Sequence, residues 1–126
     1  MPLAEVYVRR LPTDGPSYDQ FTIALRELRV IIADCLTCSD PNGSLEPSHI
    51  EVKIREGHEL DITDYDLEVS IEAMKFPSRM ANHTDRSQRV YNRLIALLPG
   101  CYKNSHVWMK WVDADFVDKV VEVPDD

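Results

Sequence analysis

The stretch Ser48-His-Ile-Glu-Val-Lys-Ile-Arg-Glu56 returns as Ser105-His-Val-Trp-Met-Lys-Trp-Val-Asp113. Serine, histidine, a β-branched residue, lysine and a final acid recur at matching offsets. Both copies alternate with a period of two, the pattern of a strand with one face on a core. A repeated strand points to a repeated unit, so what precedes each copy limits the folds open to the chain. Ahead of the first copy, residues 3–10 alternate as a strand. Residues 18–36 then carry Phe21, Ala24, Leu25, Leu28, Ile31, Ile32 and Cys35 at three- and four-residue steps, which is an amphipathic helix. Ahead of the second copy, Leu67, Val69, Ile71 and Ala73 alternate with Glu68, Ser70, Glu72 and Met74. Asp85 and Gln88 resemble a capping box for a helix carrying Val90, Tyr91, Leu94, Ile95 and Leu98, stopped by Pro99-Gly100. Residues 76–84 read as a loop.

The order is β-α-β-β-α-β over one domain, residues 1–126, with pseudo-repeats at about 2–56 and 66–113 and an acidic tail at 118–126. Each β-α-β half makes a parallel strand pair. The fold class expected is α/β: duplicated halves sharing one four-stranded mixed sheet, with two helices on one face. Ile50/Val52/Ile54 and Val107/Met109/Trp111 should face the helices. The opposite face then carries Leu3, Glu5, Tyr7, Arg9, Glu51, Lys53, Arg55, Glu68, Ser70, Met74, Trp108 and Lys110. Such a face is too apolar for plain solvation and too charged for a core, which points to contact with another copy of the chain. A ferredoxin-like sheet shares the same element order and is the rival architecture.

Proline 2 opens the first strand. Proline has no N–H for a ladder, so it is confined to a strand's first residue or to an edge. One reading ends there. The other notes that initiator methionine is normally removed before a residue as small as proline, which would leave a ring-fixed secondary amine built into a strand. An α-amine titrates near 8, and apolar surroundings or nearby cations lower that value toward a base usable at neutral pH.

A net charge of −8 argues against nucleic acid or an anionic membrane as partner. No apolar run approaches the roughly 20 residues of a membrane span, and the start lacks the pattern of a signal peptide. Cys35, Cys38 and Cys101 form no even disulfide set, as in a reducing compartment. The chain reads as cytoplasmic.

With the segments M-P-L-A-E-V-Y-V, S-H-I-E-V-K-I, D-R-S-Q-R-V-Y-N-R-L-I-A-L-L and S-H-V-W-M-K-W-V-D, the chain resembles the tautomerase superfamily. That superfamily includes 4-oxalocrotonate tautomerase, 5-carboxymethyl-2-hydroxymuconate isomerase, malonate semialdehyde decarboxylase and macrophage migration inhibitory factor. The resemblance implies a trimer with sheets turned inward and chemistry without a cofactor or metal. It implies isomerisation of a small enol or α-keto carboxylate, with Pro2 as general base. Decarboxylase or hydratase chemistry on the same fold, and a non-catalytic oligomeric binding module, stay open beside it. Arg9 lies on strand one, where the family lines its site. Lys75 and Arg79 follow strand three, where the decarboxylase and dehalogenase branches place substrate-binding arginines. Trp108 falls where an aromatic wall crosses a subunit boundary, and Lys110 faces the same way. Glu51 stands where 4-oxalocrotonate tautomerase carries a substrate-binding arginine, which makes Lys53, Arg55 or Lys110 the replacement cations. Each of these cations also reads as an ion-pair partner for Glu5, Glu51 or Glu68.

Other signals point to structure. Cys35-Leu-Thr-Cys38 sits at a helix C-terminus, where the dipole opposes a thiolate. His49 and His106 read as duplicated strand-entry residues. Glu59, Asp61, Asp64 and Asp66 read as a solvated connection, and Arg86, Arg89 and Arg93 as the wet face of the second helix.

Overall fold

The computed structural model describes residues 2–100 and 102–113; Met1, Cys101 and the acidic tail at 118–126 lie outside the described residues. Four strands, β1 (Leu3–Val8), β2 (Glu51–Glu56), β3 (Leu67–Met74) and β4 (Ser105–Val112), form one sheet in the order β2-β1-β3-β4. β1 pairs with β2 in parallel and β3 with β4 in parallel. The two pairs join through an antiparallel β1–β3 ladder running from Leu3↔Glu72 to Val8↔Leu67. The parallel β1–β2 neighbours are the arrangement that separates this fold from the ferredoxin-like alternative.

One face of the sheet is dry. Ala4, Val6 and Val8 of β1 and Leu67, Val69, Ile71 and Ala73 of β3 are buried on it. They meet α1 (Gly15–Leu36), whose Phe21, Ala24, Leu28, Ile31, Ile32 and Cys35 are buried at the helical spacing read from the sequence. Asp14 caps α1 by accepting the Ser17 N–H at 2.9 Å. A second long helix, here α3 (His83–Ile95), adds Val90 and Leu94 to the same core.

Several sequence expectations need correction. The span 76–84 is not a loop: it holds a one-turn helix, α2 (Pro77–Met80), and the start of α3. Helix α3 begins ahead of the supposed capping box, with Asn82 as its N-cap and Asp85 in its first turn. The Asn82 side chain gives α3 no capping bond; its Oδ1 instead accepts from Arg86 Nε at 2.6 Å. His49 belongs to a 3-10 turn, Pro47–His49, with β2 starting after it, whereas β4 begins already at Ser105. Ile54, of helix-facing parity, is 48% exposed because β2 is an edge strand.

Arg86 is the largest departure, since the sequence put it on a wet face. It is buried, and its Nη1 donates to the carbonyls of Cys35 and Thr37 at 2.8 Å each. Arg79 on α2 is buried too, donating to Leu36 O at 2.7 Å, Met74 O at 2.9 Å and Gly43 O at 3.2 Å. Burial pulls the Arg79 pKa below its ordinary value, with Cys38 and Asp40 opposing and Arg86 adding to the shift; a guanidinium still stays charged. These two cations satisfy the carbonyls that the last turn of α1 leaves unpaired. Arg79→Met takes this donor from the Leu36 and Met74 carbonyls, while Gly43 O keeps the Cys38 N–H, and should cost about 3 kcal/mol, read as a lower urea midpoint. Arg89→Met, on the exposed side of α3, should stay within about 0.5 kcal/mol.

Candidate active site

Pro2 is buried immediately ahead of β1, and its carbonyl accepts the Glu51 N–H at 3.1 Å. Because β1 is paired on both sides, the edge-strand explanation of this proline falls away and the strand-start explanation holds. Continuing the β1–β3 register by one residue sets Pro2 beside Ala73. Lys75 is then its diagonal neighbour, a spacing of roughly 7–8 Å. The Lys75 N–H donates to Val112 O at 2.9 Å, its side chain is exposed, and it makes no ion pair among the described residues.

The helix-free face reads directly from the register. Glu51, Leu3, Glu72 and Lys110 lie in the row nearest Pro2; Lys53, Glu5, Ser70 and Trp108 form the next; Arg55, Tyr7, Glu68 and His106 the third. Lys110 Nζ is 3.5 Å from Glu72, and Lys53 Nζ is 3.5 Å from Glu51. Both pairs are solvent-exposed, so they are weak and readily exchanged. Trp108 is 57% exposed and packs edge-on against His106, whose ring in turn lies 5.0 Å from Tyr65.

The register therefore sets Lys75 as the diagonal neighbour of Pro2, whereas Lys110 lies at the same end of the sheet but two strands over and on the helix-free face, with Lys53 and Trp108 one row further along that face. Arg9 is elsewhere. At roughly 3.3 Å per residue it stands about 23 Å along the chain from Pro2, so the two cannot hold one small substrate within one chain. Its guanidinium donates to Thr63 O and lies 3.9 Å from Asp66. Arg55 shares that far end, beside Tyr7. Arg79 lies beneath the sheet end, where it holds the Met74 carbonyl one residue before Lys75. Two clefts, of about 340 and 350 Å³, flank Arg9 and Arg10.

One feature of that end was missed at the sequence level. Asp61, read as a solvated acid, accepts the Tyr7 hydroxyl at 2.7 Å and the His58 N–H at 2.9 Å. A Cβ on Gly57 would lie 2.5 Å from the Tyr7 oxygen, so glycine is required for this approach. Tyr7 on a free face was the available signal, since its hydroxyl calls for a partner. Among the described residues no three His, Cys, Asp or Glu side chains converge to hold a metal ion. No helix among those residues is long and apolar enough to cross a membrane.

Known structures share this architecture. "N1, a member of the cis-3-chloroacrylic acid dehalogenase family" superposes with a TM-score of 0.61 at 9% identity, over 88% of this chain and 75% of that one. A fused 4-OT symmetric trimer gives 0.58 at 12% identity, over 88% and 85%. Pt0534 inactivated by 2-oxo-3-pentynoate gives 0.55 at 9% identity, over 89% and 85%. No protein-family profile and no curated protein matches the chain. The chain has the tautomerase-superfamily fold.

The hydrogen bonds from His58, then Tyr7, hold the Asp61 carboxyl below the usual carboxylate range, and Asp61 in return raises the Tyr7 pKa. A lowered folded pKa contributes stability above the unfolded value near 4, and that stability is lost as pH falls through the folded pKa. Amide shifts of Gly57 and His58 should accordingly titrate below about 3.9. Tyr7→Phe should move that midpoint upward; a wild-type midpoint at the free-aspartate value would contradict the assignment.

Proposed function

We propose that the protein is a cofactor-independent tautomerase acting on a small enol or α-keto carboxylate, with the Pro2 amine, freed by removal of Met1, as general base. The observation that carries this reading is the place of Pro2: buried, immediately ahead of a strand paired on both sides, with Lys75 its diagonal neighbour. Burial and a neighbouring ammonium group both disfavour a charged amine, which keeps it available as a base.

The amine takes the proton of the substrate's enol hydroxyl and returns it to carbon, giving the keto form. Lys75 holds the carboxylate and opposes the charge that develops on the enolate oxygen. Lys110, Trp108, Lys53, Arg55 and Arg9 line the site from neighbouring copies, since the first four stand on the face of the sheet opposite Pro2 and 23 Å of strand (at roughly 3.3 Å per residue) keeps Arg9 from its own Pro2. Arg79 acts by positioning, through the Met74 carbonyl that fixes the backbone under Lys75. Two comparisons support the reading: a fold neighbour is described as a symmetric trimer, and another as inactivated by a 2-oxo acid.

Intact mass and ketonisation of phenylenolpyruvate test this together. The expected result is a chain lacking Met1, with kcat/KM falling roughly 10²-fold or more in Pro2→Ala, the usual scale of a lost general base. A retained methionine, or activity indifferent to Pro2→Ala, would overturn it. Decarboxylation of a β-keto acid in place of ketonisation would move the chemistry to an acid role for the same amine.

A further inference from the structure

We propose that Asn42 is a modification site of this chain: its side-chain amide deamidates by attack of the Gly43 backbone nitrogen, and the product loosens the hold on the buried Arg79. Asp40-Pro-Asn-Gly43 is a turn closed by the Gly43 N–H, which donates to Asp40 O at 2.8 Å. Its third residue, Asn42, has a φ of 64° and is the only non-glycine residue with positive φ among the described residues. Asparagine is one of the few residue types that tolerate that place in a turn. The fourth residue is glycine for a different reason. A Cβ on Gly43 would lie 2.4 Å from Cys38 Sγ and 2.9 Å from Asp40 O. The turn and the packing beneath it thus set asparagine next to glycine, where no side chain shields the attacking nitrogen. Of the four asparagines only Asn42 precedes a glycine. Asn82 and Asn92 have their side-chain oxygens engaged by Arg86 and Gln88. Asn42 is exposed, and its side-chain amide has no hydrogen-bond partner among the described residues.

The step needs only water. When the turn opens, the Gly43 nitrogen gives up its proton and bonds to Asn42 Cγ; the Cγ–Nδ2 bond breaks, and the amide leaves as ammonia carrying that proton. Water then opens the resulting cyclic imide at either carbonyl, giving aspartate or isoaspartate. The fold sets the pace, because the closed turn keeps the Gly43 N–H on Asp40 O. Several contacts keep it closed. The Asp40 carboxylate accepts the Ser78 N–H at 2.9 Å and the Ser78 hydroxyl at 2.7 Å. Gly43 O accepts the Cys38 N–H at 3.0 Å and Arg79 Nη2 at 3.2 Å. Conversion therefore follows local opening of this turn. Isoaspartate sends the main chain through the former side chain and lengthens it by one carbon, so Gly43 O no longer meets both donors. Arg79 loses an acceptor there, and the same guanidinium holds the end of β3 through Met74 O.

Neither the Pro2 amine nor a neighbouring copy enters this inference. The purified protein and a synthetic peptide of residues 39–46 are incubated side by side in mildly alkaline buffer. Intact mass, peptide mapping and labelling by an isoaspartate-specific carboxyl methyltransferase follow both. The protein should exchange NH for O at Asn42, more slowly than the peptide, and become a methyl acceptor there. The converted fraction, separated by its added negative charge, should unfold at a lower urea midpoint. Ser78→Ala, which removes one bond holding the turn, should raise the rate about fivefold, the scale of one lost hydrogen bond. Asn42→Gly puts in a residue that adopts positive φ freely, so it should fold as the wild type does and show no conversion. A wild type still unconverted when the peptide has reacted fully, or one converting as fast as the peptide, would overturn the proposal. So would conversion at another asparagine instead, a Ser78→Ala rate equal to wild type, or a converted fraction with the wild-type midpoint.

Discussion

The chemistry proposed for this molecule depends on a proline at the head of a strand that is hydrogen-bonded on both sides. β1 lies between β2 and β3, and its inward residues Ala4, Val6 and Val8 are buried against α1. A strand held on three sides cannot shift register without turning its apolar row to the wet face. The residue before Leu3 therefore has a fixed place, and proline is suited to it because no ladder N–H is asked of it there. The constraint is structural in origin. Its consequence is chemical, since it holds a ring-fixed nitrogen at a buried position with Lys75 as its diagonal neighbour.

The surroundings of that position are braced from below by cations that never reach the surface. Arg79 and Arg86 converge on the last turn of α1 and collect the carbonyls of Cys35, Leu36 and Thr37. Arg79 also takes the Met74 carbonyl, tying the end of β3 to the end of α1. A guanidinium suits this task because its fork serves several carbonyls at once and remains charged when buried. The backbone that carries Lys75 thus hangs from the same cluster that closes the helix, and stability and site geometry are linked there.

Much of this was legible in the sequence, and the failures have physical causes. The periodicities of β1, α1 and β3 were unambiguous, because each has one dry face and one wet face, and the repeat gave the parallel pairs. Pro2 could be read because proline's missing N–H leaves few places for it. Arg79 and Arg86 could not be told from surface cations, because what buries them is the unpaired end of a helix some 40 to 50 residues away in sequence. Helix α3 starts at Asn82, whose Oδ1 accepts from Arg86 Nε four residues on, a local contact that capping patterns do not record. Ile54 has core parity yet is exposed, since alternation reports a face and not whether an edge strand is covered. Asp61 read as solvent-facing, and only the folded path of 57–66 brings it to Tyr7. Arg9 and Pro2 share a strand in sequence, but its length keeps them apart in any one chain.

The central claim is that the Pro2 nitrogen is a free, neutral amine at working pH, and a nitrogen titration of protein carrying 15N-proline tests it most directly. Of all the prolines only an N-terminal one can gain and lose a proton. The account predicts one titrating nitrogen with a midpoint clearly below 8, the ordinary value of an α-amine. A spectrum with no titrating proline, or one titrating at or above 8, would contradict it.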